Sequence, residues 1–248
     1  MPNHVTNRIV APKEVIQKLM GTDKDGKPCV DFNNIIPMPD IIKGDSVAGH
    51  VESAAQIALG LIDFKKNNYT TGTQRVNMFN SGDYGGLSDI LHHSNCVKQL
   101  LEGPHPKDFN DEDFNAFIRH LQAYRQCDGL MNWYKWSCKK WGTKWNAYEF
   151  EKVSETEITF QTAWSAPFPV MVELAKQTGK AFLHEWADED TGSNVGFCRF
   201  PEGEDGEGEV KDLSGTKEGY ELAFRLHPGA EENYRLVDGK YKYHEEEE

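Results

Sequence analysis

Asn146-Ala-Tyr-Glu-Phe-Glu-Lys-Val-Ser-Glu-Thr-Glu-Ile-Thr-Phe-Gln-Thr-Ala-Trp164 is the stretch where the hydrophobic period of this chain changes. Residues 146–153 and 157–164 alternate and are rich in β-formers, and Ser154-Glu155-Thr156 is short enough for a hairpin, so two antiparallel strands are predicted. Toward the C-terminus, Pro167–Lys176 places Val170, Met171, Leu174 and Ala175 at helical spacing, and Thr178-Gly179 ends that helix. Strands follow over Ala181–Trp186 and Val195–Phe200. Pro201–Gly208 is rich in glycine and acid and reads as a mobile loop. Tyr220–Leu226 is a short helix before a tail dominated by charge repulsion.

Toward the N-terminus, His4–Ala11 carries Val5, Ile9 and Val10 and reads as a first strand. Pro12 opens a short helix with Val15, Ile16 and Leu19 on one side. Gly21–Pro28 is a polar turn, and Cys29–Ile36 is expected to be extended until Pro37-Met38-Pro39 stops it. Helices are predicted over 46–64, 84–101 and 111–127. In the third, Phe114, Phe117, Ile118, Leu121 and Tyr124 form an apolar stripe behind an Asp111 cap. Strand and helix, then strand, strand, helix and strand, is the βαββαβ order of a ferredoxin-like sandwich. The expected class is therefore α+β, with residues 1–29 and 146–248 in the ferredoxin-like domain. Residues 30–145 are a mainly helical insertion after the first helix, packed on that domain.

Composition narrows the function classes. A chain of 248 residues with 38% hydrophobic and 11% aromatic residues can bury a sizeable core, so it is not a disordered chain. No apolar run reaches the ~18 residues of a membrane helix. Met1-Pro-Asn-His-Val-Thr6 lacks the basic and apolar regions of a secretory signal, so the protein is expected to stay where it is made. Cys29, Cys96, Cys127, Cys138 and Cys198 are scattered and never form CxxC, as in a reducing compartment without a zinc ribbon. Residues 1–145 hold 17 Lys+Arg against 16 Asp+Glu, a net of +1; residues 146–248 hold 10 against 24, a net of −14. An acidic surface of that kind repels nucleic acid and membrane phosphate and attracts basic protein faces.

Three constellations could carry chemistry. Trp133–Trp145 packs four Trp and four Lys into thirteen residues. At 100° per residue Tyr134, Cys138 and Trp141 share a face suited to core packing, which leaves Trp133 and Trp136 to meet a neighbouring element or a partner. His184-Glu-Trp-Ala-Asp-Glu-Asp190 is the best candidate for metal or acid–base chemistry; on a strand His184 and Asp188 face one way, but two ligands do not make a metal site. His4-Val5-Thr6 is the H-x-T half of a two-histidine phosphoesterase pair, with no second H-x-[ST] elsewhere. Phosphate-loop, dinucleotide, nucleophile-elbow and zincin motifs are missing from the sequence, and no metal or cofactor is expected.

Met1–Asn7, Asp31–Pro39, Trp141-Gly-Thr-Lys-Trp-Asn-Ala-Tyr148 and Phe160–Pro169 together resemble the YubB ferredoxin-like family of plasmid and phage proteins of unknown function. That resemblance implies a ferredoxin-like domain, a mobile-element origin and a bacterial host cytoplasm, and it implies no activity. The leading expectation is a non-enzymatic accessory protein of a phage or plasmid. It would bind a host protein with a basic surface, inhibiting a nucleic-acid-processing or defence factor. The expected contacts are Glu185, Asp188, Glu189 and Asp190, with Trp133 and Trp136. Direct nucleic-acid binding is not expected. The alternative is a nucleotide- or nucleic-acid-processing enzyme using His4, His184 and Asp188, which requires one pocket joining the three.

Overall fold

In β1 (His4–Val10), Val5, Asn7 and Ile9 are buried and the residues between them are half-buried. That is the period-two pattern of a strand between two unlike layers. Pro12, with no N–H to leave unsatisfied, precedes α1 (Lys13–Leu19), which buries Val15, Ile16 and Leu19. The computed structural model describes residues 3–44, 51, 52, 55, 56, 59, 111–203 and 205–244. Further elements are β2 (Met20–Thr22), β3 (Pro28–Val30), α2 (Asp111–Gln126), α3 (Trp133–Lys140), β4 (Tyr148–Lys152) and β5 (Glu157–Ala163). They continue with α4 (Phe168–Thr178), β6 (Phe182–Asp188), β7 (Val195–Phe200), β8 (Glu209–Asp212), α5 (Lys217–Leu226), β9 (Tyr234–Val237) and β10 (Lys240–Tyr243). The chain divides into two compact units, residues 1–37 with 137–248, and residues 38–136.

The first unit is built on a six-stranded antiparallel sheet in the order β4-β5-β1-β6-β7-β8. The register pairs Ile9 with His184, Asn7 with Trp186 and Val5 with Asp188, so these six share one face. Phe168, the first residue of α4, meets that face edge-on at His184 and Trp186, with ring centroids 5.9 and 4.7 Å away. The other face is covered over β6 and β7 by α5, whose Leu222 and Ala223 pack on Ala187, Val195 and Leu213. Gly219 lets α5 approach this closely, because a Cβ there would collide with the Leu213 carbonyl. Covered on both sides, β6 is buried at every position from His184 to Asp188.

The segments quoted above for their resemblance are knitted together in this unit. Trp141 Nε1 donates to the Ile36 carbonyl (2.9 Å), and its ring meets Phe32 edge-on. Asn146 accepts from Phe32 N (2.9 Å) and donates to Asp31 (2.7 Å). The Thr143 hydroxyl donates to the Ala163 carbonyl (2.8 Å). In the second unit α2 buries Phe117 and Leu121, as its stripe predicts, together with His120, whose Nδ1 donates to the Met131 carbonyl (2.9 Å).

Three local expectations are corrected. Cys29–Ile36 is not one extended segment: β3 ends at Val30, and the Asp31 carboxylate accepts from Asn33 N (3.0 Å) to start a 3₁₀ turn over Phe32–Asn34. The last helix starts three residues before Tyr220, where the Thr216 hydroxyl accepts from Gly219 N (3.0 Å). Residues 234–243 form a hairpin instead of a charged tail, with Asp238 and Gly239 at φ +51° and +77°. Its Tyr234 and Tyr241 pack with Tyr220 and Phe224 of α5. The helix predicted over 84–101 lies outside the described residues, as do Glu204 and Glu245–Glu248. Of the helix predicted over 46–64, only residues 51, 52, 55, 56 and 59 are described.

Candidate functional site

β6 carries most of the residues singled out for function, and its central position decides their fate. Glu185 is 7% exposed and is gripped by Arg8 Nη1 and Arg225 Nη2, each at 2.5 Å, while Arg8 Nε also holds Glu157 at 2.8 Å. Asp188 is 4% exposed and accepts from Asn3 Nδ2 (3.1 Å), Asn194 Nδ2 (3.1 Å) and Asp190 N (3.0 Å). Both carboxylates are satisfied within the unit and are withdrawn from any partner. The expectation that they are surface contacts is corrected: acids on the middle strand of a sheet covered on both sides do not reach solvent. Glu189 and Asp190, just past the strand end, are exposed.

The aromatic pair divides in the same way. Trp136 is 3% exposed, so it is a core residue and not a partner contact, whereas Trp133 is half-buried and meets Tyr134 edge-on. The helical wheel misplaced Trp136 because it set the core face with Trp141, which lies beyond the end of α3 at Lys140. Gly142 at φ +80° then turns the chain away, in a space where a Cβ would meet Pro169.

His184, Asp188 and His4 do not converge. His184 lies under α4 on the buried face, with Nε2 donating to Asn7 Oδ1 (2.9 Å), and burial pushes it down to about 3. Asn7 Nδ2 donates to Thr162 Oγ1 (2.8 Å), which donates to the Ser165 carbonyl (2.9 Å), so His184 ends a buried polar chain. His4 alternates to the opposite face with Thr6. The triad expected of a nucleotide-processing enzyme is therefore split by the sheet.

His4 instead helps line a polar cleft of about 390 Å³ with Thr6, Gln161, Glu189, Thr191, His227 and Ala230. Its backbone is fixed by Glu189 N, which donates to the His4 carbonyl (2.9 Å). Its Nδ1 lies 2.6 Å from the Tyr148 hydroxyl, whose oxygen is also 3.4 Å from the Thr162 carbonyl. The short contact pairs His4 with Tyr148 in either donor sense. His227, which ends α5, reaches back to Thr6 with Nε2 2.8 Å from Oγ1. Burial pushes His227 below its ordinary value, against the pull of Asp188 and Glu189. Burial, then Glu189 and Glu149, pushes the Tyr148 hydroxyl up. Sequence reasoning missed His227 because it lies 221 positions from Thr6 and has no motif around it.

Among the described residues, no group of three or more His, Cys, Asp or Glu is arranged to hold a metal ion. None of the described helices is long and apolar enough to cross a membrane.

Residues 140–228 match the family model described as the ferredoxin-like domain in Api92-like protein. The match places a ferredoxin-like domain on the stretch from the end of α3 to just past α5. It takes in Gln161, Glu189, Thr191 and His227 of the cleft but not His4 or Thr6. Among solved structures, the crystal structure of Api92 from Yersinia pseudotuberculosis is similar at 11% identity, covering 86% of this chain and 99% of that one, with a TM-score of 0.32. No curated protein sequence matches the chain.

Proposed function

We propose that this is a non-enzymatic accessory protein of a phage or plasmid that binds a host protein with a basic surface in the bacterial cytoplasm. The bound host protein is a nucleic-acid-processing or defence factor, and binding inhibits it. The scaffold is a ferredoxin-like βαββαβ sandwich with the helical region 30–145 inserted after α1, supported by the antiparallel order β4-β5-β1-β6. The mobile-element origin rests on the YubB-like segments, of which those at 31–39, 141–148 and 160–169 are joined by hydrogen bonds.

The observation that carries the proposal is where the exposed acid lies. With Glu185 and Asp188 withdrawn, the exposed carboxylates of the acidic half include Glu189 and Asp190 at one end of the sheet and a run of Glu202, Asp205, Glu207, Glu209 and Asp212 along the loop and edge strand β8. β8 is exposed at all four residues, and its outer edge offers open backbone beside acid. Such a surface draws a basic partner by steering, which salt screens.

A tagged pull-down from nuclease-treated bacterial lysate, washed at low and high salt, tests this. The expected outcome is one basic host protein retained at low salt, lost at high salt, and lost at low salt from a Glu189→Lys, Asp190→Lys variant. Retention that ignores both salt and the charge reversals sinks the proposal, and so does the absence of a specific partner.

A further inference from the structure

The cleft of His4, Thr6, Gln161, Glu189, Thr191 and His227 is not used by an edge-strand interaction, and its lining is chemically one-sided. Among the described residues it holds no Lys or Arg, and its one charged group is the Glu189 carboxylate. The His4 ring is held at the cleft wall by its 2.6 Å contact with the Tyr148 hydroxyl. His227 is half-buried and held against Thr6. Glu189 is the one carboxylate of the lining, and the Gln161 amide oxygen and the Thr6 and Thr191 hydroxyls are further oxygens able to accept.

A phosphate would enter such a cleft against the charge and find no guanidinium or ammonium there. A neutral sugar would leave the carboxylate without a counter-charge. A planar cation with several N–H donors is matched on both counts. We propose that this cleft receives one arginine side chain of the basic partner, with Glu189 as its counter-ion, Thr6 and Gln161 as further acceptors and the His4 ring as one wall. The proposal rests on the host-protein function above and names the anchor of that interface. A single charged side chain seated in a pocket next to an acidic rim is the arrangement that concentrates binding energy at an interface.

The test uses this chain alone, so its failure is separate from failure of the host-protein function. The ring resonances of His4 and His227 are followed by NMR as methylguanidinium is added to the full-length protein, with butylammonium, inorganic phosphate and ribose in parallel. Methylguanidinium is expected to shift both rings, with a dissociation constant on the order of millimolar, and to bind more tightly than butylammonium. Glu189→Gln is expected to weaken binding about tenfold with an unchanged melting temperature, because Glu189 is exposed. Glu14→Gln, exposed on α1 and outside the lining, is expected to leave it unchanged. Phosphate or ribose shifting the rings more strongly than the cation overturns the proposal. So does a silent titration up to roughly 100 mM, or a Glu189→Gln protein that binds as the wild type does. Guanidinium binding without any captured host protein removes the proposed function and leaves the cleft a cation site. A salt-sensitive partner with a silent titration removes the cleft and keeps the function.

Discussion

His184 and His227 lie on opposite sides of one sheet, and burial lowers the basicity of both. Their surroundings differ. His184 is fully enclosed between α4 and the sheet, donates to Asn7, and among the described residues leaves Nδ1 without a partner. His227 is half-buried at the lip of a cleft and close to two carboxylates that oppose its desolvation. A histidine beside acids in sequence, as at 184–190, is thus the structural one. The histidine with no neighbouring motif is the one that faces open space.

The sharpest way to break this contrast is to cut the polar chain on the buried face. Asn7→Leu removes the acceptor of His184 and the donor to Thr162, stranding two buried polar groups, and should cost about 3 kcal/mol in urea unfolding. Thr6→Ala, one position away on the cleft side, should cost less than about 1 kcal/mol. Equal losses would mean that the two faces are not distinct in the way described.

Acid should separate the two sides next. His184 has a folded value of about 3 against an ordinary 6.5, so between those limits the unfolded chain takes a proton that the folded chain refuses. Its neutral form is matched to the fold above pH 6.5, and stability falls as pH drops through that window. The slope is about 1.4 kcal/mol per pH unit. From pH 7 to pH 5 the wild type should lose about 2 kcal/mol more than His184→Gln. Parallel losses in the two proteins would place the titration elsewhere.

Much of the fold was legible in the sequence because strands report burial through alternation, and β1 and β5 each have one strongly apolar face. The helix α4 was legible for the same reason, with Gly179 in the left-handed region at its end. β6 was legible as a strand but not as one covered on both sides, since such a strand loses its alternation, and Glu185 and Asp188 were taken as exposed. The hairpin at 234–243 had a readable signal in Asp238-Gly239 between Tyr-Arg-Leu-Val and Lys-Tyr-Lys-Tyr, which the surrounding charge obscured. Of the cleft, His4 and Thr6 were legible as a motif with half its partners missing, and Glu189 as an expected contact. The other half comes from the end of α5, brought in by packing at Gly219 that no local pattern announces.

A small effect is expected of the charge network on the cleft side of the sheet, where Glu185 lies opposite Arg8. Glu185→Gln should cost about 1 kcal/mol, because Arg8 keeps Glu157 and Arg225 is largely solvated. Circular dichroism melts would register this as a shift of a few degrees. A loss as large as that of Asn7→Leu would make the Arg8–Glu185–Arg225 cluster part of the core.

The place of β1 in the sheet bears on how the chain is made. Both of its neighbours, β5 and β6, are encoded far downstream, with Arg8 and its ion-pair partner Glu157 separated by 149 positions. At ordinary rates of translation the first strand leaves the ribosome roughly 8 to 30 seconds before either neighbour exists. Until then His4–Val10 carries its apolar Val5, Ile9 and Val10 with two unpaired edges, so the nascent chain passes through an interval in which chaperone capture and misassociation compete with closing the sheet.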